Sequence, residues 1–301
     1  MTQSPTEPTP ARLGPITIGT SGLGSRADAP TLATAMLTSP IGQIDTSNTY
    51  AGGESERTLG RALRALDGFP HGTSIFSKAD ADPDTGVFDG DRVRRSFAET
   101  LERLGVDSLP IYHLHDPYSL SVAEAFAPGG AVEALTALRD EGAVGAIGIA
   151  AGPVGLMTEY VSTGVFDAML THNRYTLADR TALPLIELAA SKGMTVFNAA
   201  PFGGGILAGS TAGRDRYAYR PAPAPLLAYI DRVRQLCDDA GVSVAAAALN
   251  FSTAHPLIDS TVVGVSSLAW LEQLSVLAST AIPGGLQDAI AALGDPPPST
   301  T

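Results

Sequence analysis

Two rhythms alternate along this chain. Short, nearly continuous apolar runs read as buried strands: PITIGT (15–20), IGQID (41–45), TSIFSK (73–78), LPIYHLH (109–115), GAIGIA (145–150), DAMLTH (167–172), MTVFNA (194–199) and STVVG (260–264). Between them, apolar residues spaced by three and four predict helices at about 30–38, 54–66, 91–104, 131–141, 153–162, 181–192, 225–240 and 267–279. In DRVRRSFAETLERL (91–104), for example, Val93, Phe97, Leu101 and Leu104 share one face and the charges take the other. Alternating strands and helices imply parallel pairing. Eight such units without a compositional break predict an α/β fold, a single-domain (β/α)8 TIM barrel over residues 13–294. An open dinucleotide-binding sheet fits less well, because GTSGLGS after the first run has glycines but no helix beginning directly on them. Residues 1–12 are expected to form a disordered N-terminal tail and residues 295–301 a flexible C-terminal tail.

Composition narrows the function classes. With 301 residues, 44% of them apolar, the chain can bury a large core. A net charge of −12 argues against a nucleic-acid or anionic-membrane partner, since either needs a basic face. Cys237 is the only cysteine, so neither an intrachain disulfide nor a cysteine metal cage can form. The first residues lack a signal pattern, and no apolar run approaches the ~18 residues of a membrane span. A cytoplasmic protein acting on a small molecule, as a monomer or small homo-oligomer, is the expectation.

In such a barrel, chemistry gathers at the C-terminal ends of the strands. Asp45, Lys78 and His115 end the second, third and fourth runs, and Tyr50 follows Asp45 in the loop DTSNTYAGG. Each alone has an ordinary reading as a solvated charge, a satisfied polar group or a turn device. Together on one rim they point to acid/base chemistry. Neighbouring strands lie ~4.8 Å apart, so Asp45 and Lys78 can pair. An ammonium beside the phenol is expected to pull the Tyr50 pKa below its ordinary ~10. Tyr50 then protonates a carbonyl oxygen, or deprotonates an alcohol in reverse, while a neutral His115 orients that oxygen.

DTSNTYAGGESERTLGRAL (45–63), the run ending in Lys78, and HLHDP (113–117) resemble the aldo-keto reductase superfamily, over about residues 13–280. NRYTLADR (173–180), NAAPFGGGILAG (198–209) and YAYRPAPAP (217–225) are similar to its L-fucose, D-threo-aldose and pyridoxal dehydrogenase subgroup. The resemblance implies a catalytic tetrad of Asp45, Tyr50, Lys78 and His115, a nicotinamide cofactor (NADP or NAD), a carbonyl/alcohol substrate and no metal. It further implies cofactor contacts from Gly19, Thr20, Asp45 and His172, and from Tyr175 stacked on the nicotinamide. Ala200, Pro201, Phe202, Gly203, Gly204 and Gly205 would run along the pyrophosphate, with Ser266 and Ser267 beyond.

The chain also departs from that pattern. Ala150 and Ala151 replace the Ser-Asn pair that many members use on the nicotinamide amide, leaving His172 to supply one bond. In GVSSLAWLEQL (264–274), Gly264, Val265 and Trp270 stand where cations grip a 2′-phosphate. Losing those charge-assisted bonds costs ~1.5–3 kcal/mol each, so either NAD should serve at least as well as NADP or the cofactor should bind weakly overall. Trp270 is read as core packing of the last helix. His113 shares a strand face with His115 and is expected to bond Gln43 or a buried water. A metal site of His113, His115 and Asp116 is rejected, because adjacent strand residues point opposite ways. Arg174 and Arg180 are read as salt-bridged scaffold. The competing functions are a cofactor-sensing or partner-binding barrel with little turnover, and a non-redox acid/base enzyme on the same tetrad.

Overall fold

A computed structural model describes residues 13–209 and 214–299. The expected tail 1–12 and the last two residues lie outside that range. The strands are β1 (Ile16–Gly19), β2 (Gln43–Asp45), β3 (Ser74–Ala79), β4 (Leu109–His115), β5 (Val144–Ala151), β6 (Ala168–His172), β7 (Thr195–Ala199), β8 (Arg216–Tyr217), β9 (Arg220–Pro221) and β10 (Ser260–Gly264). The helices are α1 (Ala29–Leu37), α2 (Glu54–Ala65), α3 (Gly90–Leu104), α4 (Val122–Ala125), α5 (Ala131–Asp140), α6 (Val154–Ser162), α7 (Leu183–Ser191), α8 (Ala224–Asp239), α9 (Val244–Thr253), α10 (Leu268–Ser279) and α11 (Leu286–Ala291).

Eight strands close into a parallel barrel in the order β1, β10, β7, β6, β5, β4, β3, β2. This is the (β/α)8 architecture that the alternation predicted. Strand side chains alternate between the barrel interior and the surrounding helices. Phe76, Ile111, Ala150, Ala168, Leu170, Phe197 and Val262 form the interior cluster. The opposite set, including Ile18, Ile44, Ile75, Leu114 and Ile149, is covered by the helices. A fully buried side chain of this size contributes ~1.5–3 kcal/mol.

Local signals explain the helix boundaries. The Asp89 side chain accepts from the Arg92 backbone N–H at 2.8 Å and starts α3, and Gly105 at φ 74° ends it. The helices α2 and α3 approach very closely at Gly60, where a Cβ would come within 2.0 Å of the Arg103 carbonyl oxygen. Only glycine fits there.

Three helices and one hairpin were absent from the sequence reading: α4, α9, α11 and the β8–β9 pair. The tail expectation also needs correction over the described residues. Ser299 is buried, donates to Asp179 Oδ2 at 2.6 Å and accepts from Arg174 Nη1 at 3.3 Å, so the chain end packs back on the loop after β6.

Candidate active site

Gln43, Ile44 and Asp45 are all buried, so β2 carries its terminal carboxylate into the barrel mouth. The segment that follows is fixed by hydrogen bonds, because its polar residues face inward. Thr46 Oγ1 shares a hydrogen bond of 3.0 Å with Ser55 Oγ. Asn48 Oδ1 accepts from Arg92 Nη2 at 2.8 Å, and the Asn48 carbonyl accepts from Arg103 Nη1 at 2.8 Å. Arg103 is paired with the buried Glu56 at 3.1 Å. Ala51, Gly52 and Gly53 then turn through three successive positive φ values of 51°, 64° and 83°. This corner presents Tyr50 to the mouth and releases the chain into α2.

Lys78 and Asp45 are 1% and 4% exposed, and their Nζ and Oδ2 atoms are 2.6 Å apart. Lys78 Nζ also donates to the Thr46 carbonyl at 2.6 Å and to the Tyr50 hydroxyl at 3.3 Å. The Tyr50 and His115 rings meet edge to face, with centroids 5.8 Å apart. These four residues border one cavity of about 260 Å³ at the C-terminal ends of the strands. Burial works against the Lys78 charge, but Asp45 and then Tyr50 more than offset it and hold the ammonium on. For Tyr50 the expectation was wrong in sign. Burial pushes the hydroxyl up to about 12, and Lys78 only partly pulls it back.

A residue missed in the sequence completes this cluster. Asp80 lies two positions after Lys78, just beyond the end of β3. Its Oδ1 is 2.6 Å from His115 Nδ1, its Oδ2 accepts from the Thr49 N–H at 3.2 Å, and it also accepts from Ser47 Oγ. A carboxylate there makes Nδ1 the protonated ring nitrogen and aims Nε2 at the cavity. Burial raises the Asp80 carboxyl, yet His115 and Ser47 outweigh it and hold it below the usual carboxylate value.

The far wall is small and apolar: Gly19, Ala150, Leu170, Ala199, Val262 and Gly264, with Thr20, His172, Asn173 and Ala200 beside them. Asn173 was also passed over. It is 3% exposed at φ 59°, and its Oδ1 has no hydrogen-bond partner. Its Nδ2 lies 3.2 Å from His172 Nδ1. At Ala200, Tyr219 and Gly264 the cavity opens into a larger cleft of about 640 Å³. Phe202, Gly204, Gly205, Ser266 and Ser267 border the cleft, and among the described residues no lysine or arginine does. The positive φ values of Gly204 (77°) and Gly205 (113°) expose backbone in a turn next to the α10 N-terminus, where Ser267 is the cap. Such a surface accepts an anion without a cation. An unpartnered buried amide oxygen beside the tetrad and a glycine turn facing a helix N-terminus fit the two ends of a nicotinamide dinucleotide.

Several expected contacts lie elsewhere. Tyr175 does not reach the mouth: its ring stacks on Phe251 at 4.9 Å and meets His255 edge-on at 5.0 Å, outside the barrel. Pro201 and Gly203 belong to the turn but line neither cavity. Trp270 is not simply core. It borders the cleft, meets Phe202 edge-on at 5.5 Å, and its Nε1 donates to the Gly264 carbonyl at 3.0 Å. Gln43 accepts from Thr17 Oγ1 at 3.3 Å, and no side chain or backbone group of the described residues pairs with the buried His113 Nδ1. Arg174 is paired with Asp179 at 3.4 Å, as expected, but Arg180 lies over the Phe251 ring at 5.6 Å with its Nε unpaired. Among the described residues no helix is long and apolar enough to cross a membrane, and no group of three or more His, Cys, Asp or Glu is placed to hold a metal ion.

A closed barrel whose mouth joins a paired lysine, a phenol and an imidazole to a glycine turn is the frame of a carbonyl/alcohol oxidoreductase. The chain belongs to the aldo/keto reductase family, whose model matches residues 15–282, and it is an NAD(P)-dependent oxidoreductase of that family. It is 29% identical to pyridoxal 4-dehydrogenase of Microbacterium luteolum, covering 85% of this chain and 89% of that one. With D-threo-aldose 1-dehydrogenase of Pseudomonas sp it shares 33% identity, covering 82% of each. A holo-form aldo-keto reductase from Bacillus halodurans superposes with a TM-score of 0.74 at 19% identity, over 93% of this chain and 92% of that chain, which supports the fold.

Proposed function

We propose that Tyr50 is the general acid/base of an interconversion between an aldehyde, ketone or sugar lactol/lactone and its partner in the alcohol/carbonyl pair. The observation that carries this reading is the Lys78–Tyr50 contact of 3.3 Å, backed by the buried Lys78–Asp45 pair. In reduction the Tyr50 hydroxyl gives its proton to the carbonyl oxygen, and Lys78 steadies the phenolate left behind. With its Nδ1 proton held toward Asp80, His115 presents Nε2 as an acceptor, which takes the hydrogen bond of the substrate hydroxyl in the alcohol form and fixes the position of that oxygen. A nicotinamide cofactor held in the adjoining cleft would supply the hydride in reduction and accept it in oxidation.

His172 and Asn173 would hold the nicotinamide amide, and Gly19, Thr20 and Ala200 would shape its seat. Phe202, Gly204, Gly205, Ser266 and Ser267 would hold the phosphates. Because no lysine or arginine among the described residues borders the cleft, NAD serves at least as well as NADP. The relatives' names, a pyridoxal dehydrogenase and an aldose dehydrogenase, favour an aldehyde or an aldose as substrate.

The test is Tyr50→Phe. Its turnover of aldehydes, aldoses or pyridoxal should fall by ~10²–10⁴-fold, with nucleotide binding kept in a thermal-shift titration. Undiminished turnover in the variant would remove the assignment.

A further inference from the structure

Asp116 follows His115 directly and stands at the cavity edge in an unusual conformation. Its φ is 45°, a left-handed value that is costly for a residue with a Cβ, and Pro117 restricts it further. The backbone is held there by the Asp116 N–H donating to the Ala150 carbonyl at 2.9 Å. The Tyr118 hydroxyl donates to Asp116 Oδ1 at 2.7 Å and turns the carboxylate toward the mouth. Asp116 Oδ2 lies 3.8 Å from His115 Nε2, and Oδ1 lies 3.9 Å from His172 Nε2. Both gaps exceed a hydrogen bond, yet one ligand oxygen seated beside them could bond the carboxylate and an imidazole together.

On the proposed reading, the reacting oxygen sits between the Tyr50 hydroxyl and His115 Nε2. The next polar atom of the substrate, one carbon further on, then meets Asp116, because oxygens on adjacent carbons have a spacing of the same order as that gap. Charge sharpens the choice. Lys78 is matched by Asp45 at 2.6 Å, and Arg174 is taken by Asp179 at 3.4 Å. Among the described residues, the groups within ion-pair reach of Asp116 are the two histidines. A carboxylate without a matching fixed cation accepts from hydroxyls and repels anions.

Resting on that reading of the site, we infer that Asp116 is a specificity-determining residue that binds the hydroxyl next to the reacting carbon and makes the enzyme select neutral 2-hydroxyaldehydes and lactols over anionic or unhydroxylated carbonyls. The experiment compares kcat/KM for reduction of glyceraldehyde, propanal and glyceraldehyde 3-phosphate, with the better nucleotide, in the wild type, Asp116→Asn and Asp116→Ala. The wild type should favour glyceraldehyde over propanal by about tenfold or more and discriminate against the phosphate. Asp116→Ala should bring glyceraldehyde and propanal together, with the loss falling mainly in KM. Asp116→Asn, which tolerates the left-handed backbone and keeps an acceptor, should retain part of the hydroxyl preference while use of the phosphate rises about tenfold. If Asp116→Ala fails to fold, the asparagine variant decides through the phosphate alone. An active wild type whose ratios are unchanged in the folded variants overturns the Asp116 assignment and leaves hydride transfer standing. A wild type that reduces none of the three with either nucleotide removes both.

Discussion

The Lys78 ammonium lies 3.3 Å from the Tyr50 hydroxyl and 4.7 Å from the centre of its ring, yet the phenol is more basic than free tyrosine, pushed up to about 12. Desolvation outweighs the nearby cation, and the Asp45 charge opposes it further. The lysine therefore restrains a rise that burial imposes. A fully protonated Tyr50 suits carbonyl reduction, where the phenol must give a proton away.

That balance makes Lys78 and Asp45 one unit. Lys78→Met should cost ~3–5 kcal/mol of stability, because it leaves the Asp45 carboxylate buried without its partner. The double variant Asp45→Asn with Lys78→Met should recover most of that loss in urea unfolding. Turnover should stay depressed by ~10²-fold or more in both, since neither has a cation at the phenol. Recovery of activity along with stability would show that the pair serves the fold alone.

Asp80 acts at one remove, through His115. Asp80→Asn replaces an obligate acceptor at Nδ1 with a group that can also donate, so the ring loses its fixed tautomer. A fall of ~10-fold or more in kcat is expected, with nucleotide affinity unchanged by fluorescence titration. The linkage sign also follows. The folded carboxyl lies below its ordinary value of 3.8, so its stabilisation is present above 3.8 and lost as pH falls through the folded value. The stability gap between wild type and Asp80→Asn should accordingly shrink below about pH 4, as read by thermal unfolding.

The barrel was legible because strands buried on both faces read as unbroken apolar runs, and Asp45, Lys78 and His115 each end one. Helix α9 was not, because VAAAALNFST is buried on nearly every side and shows no polar face to mark a period. Asp80 sits in KADAD, past the end of its apolar run. Counting in steps of two from Lys78 would have placed it on the inward face. Tyr175 was misplaced because Asn173 turns the chain at φ 59° and sends that ring outward to Phe251. Tyr219, which lines both cavities, is brought there by the β8–β9 hairpin, a long-range placement that no local pattern encodes.

The cleft without cations leads to a gain-of-function test. Gln273 is exposed on α10 and faces the same cleft as Trp270 and Ser267. Gln273→Arg should add one charge-assisted bond to a 2′-phosphate, tightening NADP by about tenfold and leaving NAD nearly unchanged. Competitive titration of the two nucleotides checks this. A wild type already binding NADP tenfold tighter than NAD would contradict the reading of the cleft.

His113 supplies the remaining prediction, on stability rather than turnover. It precedes His115 by two residues, pairs in register with Lys78 across the β3–β4 ladder, and meets Phe197 edge-on at 5.9 Å. Gly148 makes room for it, since a Cβ there would come within 2.1 Å of Nδ1. Burial first, then the Lys78 and His115 charges, hold its pKa well below the ordinary 6.5. The folded ring thus stays neutral, while the unfolded chain takes up a proton below about 6.5, so this residue lowers stability as pH drops. Its slope reaches ~1.4 kcal/mol per pH unit, and His113→Gln removes it. Between pH 7.5 and 5.5 the wild type should therefore lose ~1.4 kcal/mol more than the variant in urea unfolding. Parallel losses would mean that the folded ring binds its proton as readily as the unfolded one, which an unpaired nitrogen beside the Lys78 ammonium does not permit.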